Sequence, residues 1–261
     1  MGTTSNTTIA KLKKLVRQLD SKKYRNETLS FVAEGSKNVT ELLERFTPLH
    51  IVAVEEWLRE HQSLCGNALV YEVSPEQLQS VSLQQHPQQV LAVFRIPIDA
   101  ISSLSLGEGL GVSNTLLLAL DGVQDPGNLG TIIRIADWYG IRHIICSLDT
   151  ADAFNPKTVQ ATMGSLARVD IHRTDLVQFL DNLPKQMPIM GTTLDGDNIN
   201  SISFPKHGIL IMGNEGKGIS QPVRQRLTHR LFIPRYPENS QQPDSLNVAI
   251  ATAIICAELR K

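Results

Sequence analysis

Between residues 116 and 233, six short and largely apolar segments alternate with helical stretches. They are Leu116–Leu120, His143–Cys146, Val169–His172, Ile189–Thr193, Gly208–Met212 and Leu231–Ile233. Apolar strands separated by helices indicate a parallel sheet covered on both faces. The fold class is α/β, and ligands in such sheets bind beyond the carboxyl ends of the strands. Three of these strand ends carry unusual loops.

The chain before this sheet follows a different pattern. From Thr8, the positions Ile9, Leu12, Leu15, Val16 and Leu19 follow helical spacing. Strands are expected over Leu29–Ala33, Leu49–Val54, Ala68–Val73 and Val90–Arg95, with helices over Val39–Phe46, Glu55–Glu60 and Pro75–Ser80. Residues 99–114 shift to serine and glycine and read as a linker. The division is a smaller N-terminal α/β domain over 1–98, a linker over 99–113 and a second domain over 114–261.

Charge is distributed unevenly. The whole chain of 261 residues has a net charge of −1. Its first 25 residues hold Lys11, Lys13, Lys14, Arg17, Lys22, Lys23 and Arg25 against Asp20 alone. A basic head on a mildly acidic body suits an anionic polymer partner. A solvated helix would carry the same charges.

Several function classes are excluded on composition and motif. No apolar run approaches the ~18 residues of a membrane span; the longest is Val248–Ala257. The opening MGTTSNTTIAKLKK has no apolar core of a secretory signal. Cys65, Cys146 and Cys256 are far apart and odd in number, which argues for unpaired thiols in a reducing compartment, here the cytoplasm. The histidines lack metal-ligand spacing, so no metal is expected. Lys217 is followed by Gly218 rather than by serine or threonine, so the glycine-rich loop 213–218 is not a P-loop. There is no Gly-x-Ser-x-Gly nucleophile elbow.

The three loops are more specific together than any one alone. In order they are Asn128-Leu129-Gly130 with Arg134, then Gly213-Asn214-Glu215-Gly216-Lys217-Gly218, then Ile233-Pro234 with Ser245-Leu246-Asn247. This set resembles the motifs of the SpoU/TrmH family of RNA 2′-O-ribose methyltransferases, of the SPOUT class. Ala161-Thr162-Met163-Gly164-Ser165 is similar to the family's segment between its first two motifs. The resemblance covers residues 114–261. More weakly, Lys22–Arg25 through Phe31–Gly35 looks like the start of the family's RNA-binding N-terminal domain.

The resemblance implies a deep trefoil knot in the C-terminal domain, S-adenosylmethionine as cofactor, a homodimer through that domain, and methyl transfer to a ribose 2′-oxygen of ribosomal or transfer RNA. It implies catalytic roles for Asn128, Arg134, Glu215, Ser245 and Asn247, and backbone contacts to the cofactor at Thr192, Gly213, Ile233 and Leu246. Lys11, Lys13, Lys14, Arg17, Lys22, Lys23 and Arg25 are the expected RNA contacts. The family's arginine is a candidate base, yet a guanidinium normally keeps its proton. The minimum role for Arg134 is to orient a phosphate and stabilise the developing alkoxide. Asn128 is also a good helix cap, and both of its roles can coexist.

One departure is plain. The loop from Arg235 to Asp244 is longer and more polar than is common in the family, and it borders the expected target site. Large-subunit ribosomal RNA is the first expected substrate and transfer RNA the second. The rival classes are a catalytically silent RNA-binding ribosome assembly factor and a nucleotide-binding enzyme of flavodoxin-like or Rossmann type. Intact Arg134, Glu215 and Asn247 oppose the first, and the missing phosphate loop opposes the second.

Overall fold

The computed structural model describes residues 4–97, 115–203, 205–236 and 245–261. The linker expected over 99–113 falls outside these residues, as does most of the polar loop after Tyr236. The chain divides into two compact units. One holds residues 1–100 with 152–168, the other residues 101–151 with 169–261.

The first unit is built on a four-stranded sheet in the order β1-β4-β2-β3. Its strands are β1 (Ser30–Glu34), β2 (Pro48–Ala53), β3 (Leu69–Glu72) and β4 (Val90–Arg95). β4 runs antiparallel to β1 and to β2, and β3 is parallel to β2. Helix α1 (Asn6–Gln18) is capped by Ser5, whose side chain accepts from the Thr8 amide. Its apolar stripe of Ile9, Leu12 and Val16 shares one core with Val32, Val52, Leu91 and Val93 of the sheet. Each such side chain contributes about 1.5–3 kcal/mol on burial. That burial fixes which face of α1 points outward, and the face left over carries Lys11, Lys14 and Arg17, all exposed.

An aromatic cluster forms a second core. Phe31 stacks on Phe94 at 5.5 Å between ring centroids and meets Phe46 edge-on at 5.1 Å. Phe154 joins them, 5.0 Å from Phe31. Residues 152–168 therefore pack with this unit rather than with the rest of 114–261. Further contacts hold them there. The Asn38 side chain donates to the Val159 carbonyl at 3.3 Å, and Arg168 pairs with Glu41 at 2.7 Å.

Arg25 corrects an expectation. It lies in a helix that the hydrophobic pattern did not show, α2 (Lys22–Thr28), and is 1% exposed. Its guanidinium pairs with Asp152 at 2.6 Å and donates to the carbonyls of Leu19 and Asp20 at 2.7 and 2.9 Å. Arg25 is thus a core cation and not an RNA contact. Removing one partner of such a buried pair costs about 3–5 kcal/mol, because the other charge is left without compensation.

The second unit bears out the expected parallel sheet. Six strands lie in the order β10-β8-β9-β5-β6-β7, and every neighbouring pair is parallel. They are β5 (Leu116–Asp121), β6 (His143–Cys146), β7 (Asp170–Arg173), β8 (Ile189–Asn198), β9 (Gly208–Gly213) and β10 (His229–Phe232). Leu117, Ala119, Ile209 and Ile211 share a core with Phe179 and Leu180 of one helix (Leu176–Asp181) and Val223 of another (Gln221–Arg224). The alternating residues Leu118, Leu120, Leu210 and Met212 are equally buried, so both faces are covered. The helix Val248–Leu259 packs on β9 and on the helix Pro126–Trp138.

That last helix is apolar nearly all round, yet in the single chain it is buried on one side only. Val248, Thr252, Ile255, Cys256 and Leu259 are buried. Ile250 is 55% exposed, and Ala253, Ile254 and Ala257 are half-buried. The three cysteines are free and buried, and burial pushes the Cys146 and Cys256 thiols up to about 12. Among the described residues no helix is long and apolar enough to cross a membrane.

Candidate active site

From β5 the chain steps outward to β6 and β7, then returns to lay β9 on the other side of β5. The direction of winding reverses between these two strands, and ligand crevices form at such points. The loops leaving β5 and β9 are the first two of the three expected motifs.

The apolar residues of Thr131–Tyr139 predict a helix after the first loop, and the helix observed there starts earlier. The helix runs over Pro126–Trp138, with Asp125 as its cap accepting from the Asn128 amide at 2.8 Å. Asp-Pro supplies a cap and a preset first turn, a signal that the apolar periodicity hides. Asn128 therefore sits in the first turn and is not the cap, which frees its side chain for other partners.

The second loop folds back on itself. Asn214 and Gly218 exchange backbone hydrogen bonds of 2.9 Å each. A side chain on Gly213 would put its Cβ 2.3 Å from the Gly218 carbonyl carbon, so only glycine fits there. Asn214 braces the loop from within. Its side-chain oxygen accepts from the Gly216 and Lys217 backbone amides at 3.0 Å, and its side-chain nitrogen donates to the Gly122 carbonyl of the first loop at 2.7 Å. Nothing in the sequence singled Asn214 out apart from its place in the motif.

Glu215 joins the loops. Its carboxylate accepts from the Gln124 amide at 3.2 Å, the Asp125 amide at 3.1 Å and the Asn128 side chain at 3.1 Å. Asn128 in turn accepts from the Asn247 side chain at 2.9 Å. Asn247 caps the last helix by accepting from the Ala249 and Ile250 amides. Asn128, Glu215 and Asn247, drawn from three separate motifs, thus form one hydrogen-bonded line.

Partial burial alone would raise the Glu215 carboxyl. The hydrogen bonds from Asn128, Asp125 and Gln124 outweigh it and hold the group below its ordinary value. A carboxyl lowered on folding stabilises the fold above the ordinary glutamate range and loses that contribution as pH falls through the lowered value. Glu215→Gln should therefore melt at a lower temperature than the wild type at pH 7. The gap should close as the pH falls below about 4, the ordinary glutamate value, and through the lowered one, read by thermal unfolding across a pH series.

Beside this line lies a cavity of about 800 Å³, within the usual range for small-molecule sites. Met212, Leu231, Ile233, Leu246 and Val248 give it apolar walls, and the 213–218 loop gives it a backbone edge. All four positions expected at the cofactor, Thr192, Gly213, Ile233 and Leu246, line it, as do Ser245 and Glu215. Apolar walls and a run of backbone groups suit a flat heterocycle, and the lining charges are mixed, with Glu215 and Asp195 beside Lys217, Arg224 and Arg235. They do not make a triphosphate cradle.

Arg134 stands apart. It is exposed on the helix Pro126–Trp138, on the same face as Thr131 and Trp138, and does not line the cavity. In the other unit Lys11, Lys14, Arg17, Lys22 and Lys23 are exposed and Lys13 is half-buried. Among the described residues no cluster of three or more histidine, cysteine or carboxylate groups could hold a metal.

Comparison with known proteins agrees with this geometry. Residues 115–257 match the SpoU rRNA Methylase family, and residues 10–92 match the MRM3-like substrate binding domain. The 23S rRNA guanosine-2′-O-methyltransferase RlmP of Bacillus subtilis is 33% identical over 246 residues, 94% of each chain. A crystal structure of an AdoMet-bound rRNA methyltransferase from Sinorhizobium meliloti superposes with a TM-score of 0.81 at 31% identity, covering 99% of this chain and 96% of that one. A TrmH-family structure from Porphyromonas gingivalis gives 0.81 at 38% identity over 99% of both chains. The loops that close on the cavity, and the length over which these relatives match, make the chain a member of the SpoU rRNA methylase family.

Proposed function

We infer that the protein transfers a methyl group from S-adenosylmethionine to a ribose 2′-oxygen of RNA, with large-subunit ribosomal RNA as the substrate. The observation that carries this is the single cavity collecting Thr192, Gly213, Ile233 and Leu246 beside the Asn128–Glu215–Asn247 line. The B. subtilis relative, matched over 94% of both chains, favours ribosomal over transfer RNA.

When bound, S-adenosylmethionine supplies an already activated methyl group. The chain's residues must then orient the ribose and stabilise the charge that develops as its hydroxyl loses a proton. Arg134 supplies the cation for that charge and for the neighbouring phosphate. Glu215, by holding Asn128 and the amides of residues 124 and 125, keeps the first loop in place. Asn247 ties the last helix to the same line, and Ser245 lines the cavity on that side. Mapping ribose methylation across total RNA from a deletion strain and its parent tests the activity. A large-subunit site lost only in the deletion is the expected result. A lost site in transfer RNA would redirect the substrate, and no lost site would favour the silent assembly factor.

The N-terminal unit is proposed to bind RNA through Lys11, Lys13, Lys14, Arg17, Lys22 and Lys23. Reversing Lys11, Lys14 and Lys22 to glutamate should lower RNA affinity. It should also flatten the salt dependence by about 0.7–0.9 in slope for each phosphate no longer neutralised. Cofactor affinity should be unchanged. Filter binding across a salt series reads the first two, and calorimetry the third. Deleting residues 1–100 is a poorer test, because it strips Phe31 and Phe46 from Phe154.

The assembly is proposed to be a cytoplasmic homodimer, joined through the helices Pro126–Trp138 and Val248–Leu259. Support comes from the uncovered face of the last helix and from Trp138, which is 84% exposed. The trefoil knot is proposed from the family, supported by the superposition over nearly the whole chain.

A further inference from the structure

The wall of the cavity formed by β8 is unusual. β8 pairs with β9 only as far as Gly191. Its register with β10 breaks at the same place. Arg230 faces Gly191, yet the next residue, Leu231, faces Asp197. Residues 192–196 thus stand outside the register of both neighbouring strands. Four of them, Thr192, Thr193, Leu194 and Asp195, line the cavity. Leu194 stands at the tip of this bulge, 74% exposed.

A five-residue bulge outside the ladder needs something else to fix its shape. One end is fixed by close approach. A Cβ on Gly196 would fall 2.6 Å from the Arg230 carbonyl carbon, so the glycine lets the two backbones touch. Near the tip, the bulge's charged side chain is Asp195. Its carboxylate oxygen accepts from Arg224 at 2.6 Å and from Arg230 at 3.2 Å. Arg224 ends the helix Gln221–Arg224 and itself lines the cavity, while Arg230 belongs to β10. One carboxylate therefore ties the bulge to two different elements.

We propose that Asp195 is a positioning residue for cofactor binding: gripped by Arg224 and Arg230, it holds the Thr192–Gly196 bulge, with Leu194 at its tip, as a wall of the cavity. This rests on the assignment of the cavity to S-adenosylmethionine. The ion pairs are exposed, so they add little to global stability. Their effect is local, restricting a segment that would otherwise sample many shapes before the ligand binds. A binding site that must first be ordered loses apparent affinity in proportion to the fraction of molecules in which it is formed.

Isothermal titration of the full-length protein with S-adenosylmethionine tests this, alongside thermal melting without ligand. Asp195→Ala should raise the cofactor Kd about tenfold, equivalent to about 1.4 kcal/mol, with the ligand-free melting point close to that of the wild type. Asp195→Glu should recover most of the affinity. Arg224→Ala with Arg230→Ala should weaken binding to a similar degree. Adding Asp195→Ala to that pair should bring little more, since all three act through one cluster. Wild-type affinity should fall with added salt more steeply than that of Asp195→Ala. Leu246→Trp, which adds bulk at a lining position outside the bulge, separates the two assignments. Cofactor binding unchanged in both Leu246→Trp and Asp195→Ala overturns the cavity assignment and the clasp with it. Binding lost in Leu246→Trp but as tight as wild type in Asp195→Ala overturns the clasp alone. A lowered melting point with unchanged Kd in Asp195→Ala makes Asp195 merely structural and also overturns it.

Discussion

Arg134→Ala is expected to lose about 10²–10³-fold in the rate of methyl transfer, the scale of losing one donor to a developing oxyanion. Its affinity for S-adenosylmethionine should stay within a few-fold of the wild type. The sulfonium is positively charged, and Arg134 lies outside the residues that line the cavity. On the proposed reading, a cation there serves the ribose oxygen and its phosphate rather than the cofactor. Arg134→Lys should rescue poorly, because a point charge does not reproduce the planar fork that binds two oxygens. Single-turnover methylation of the RNA identified by mapping measures the rate, and calorimetry measures the cofactor. Near-normal turnover in Arg134→Ala would remove the residue from the mechanism. A collapse in cofactor affinity would move its role to binding.

Ile250→Asp should convert a two-chain particle into a one-chain particle. Ile250 is 55% exposed in the single chain, so replacing it removes little from the core. It occupies the first turn of the last helix, where a carboxylate is favoured by the helix dipole. The chain should therefore fold normally. Across a two-fold axis each substitution counts twice, removing about 1.5–3 kcal/mol of apolar burial per side chain and adding the cost of enclosing an unpaired charge. Light scattering reads the mass, and far-ultraviolet circular dichroism reads the fold. Ile254→Asp is the poorer probe, because Ile254 is half-buried within its own chain. A wild-type protein that scatters as one chain would refute the dimer.

Much of the architecture was legible in the residues. Strands as apolar as Leu116–Leu120 and Gly208–Met212 can only be central, and β4 and β6 begin and end where their patterns predict. The motif loops were legible too, since the order of Asn128, Glu215 and Asn247 along the chain is itself a signal. Element ends were less so. The helix entered at Thr131 in the apolar pattern begins at Pro126, because Asp125 and Pro126 set its first turn without any apolar side chain.

The residue pattern thus settles local matters: which stretches are strands, which face of α1 is basic, and which residue types stand at the strand ends. Tertiary structure alone decided the partners. It put Arg25 in the core against Asp152, 127 residues away, and so removed one cation from the basic face. It packed Phe154 among Phe31 and Phe46 instead of with its neighbours in the chain. It drew Glu215, Asn128 and Asn247 into one line and set Asp195 between Arg224 and Arg230. The reason is physical. Periodicity records whether a side chain is buried, a property of its own element. Charge pairing and hydrogen bonding depend on which other element the topology brings within about 3 Å, and no single stretch of sequence carries that information.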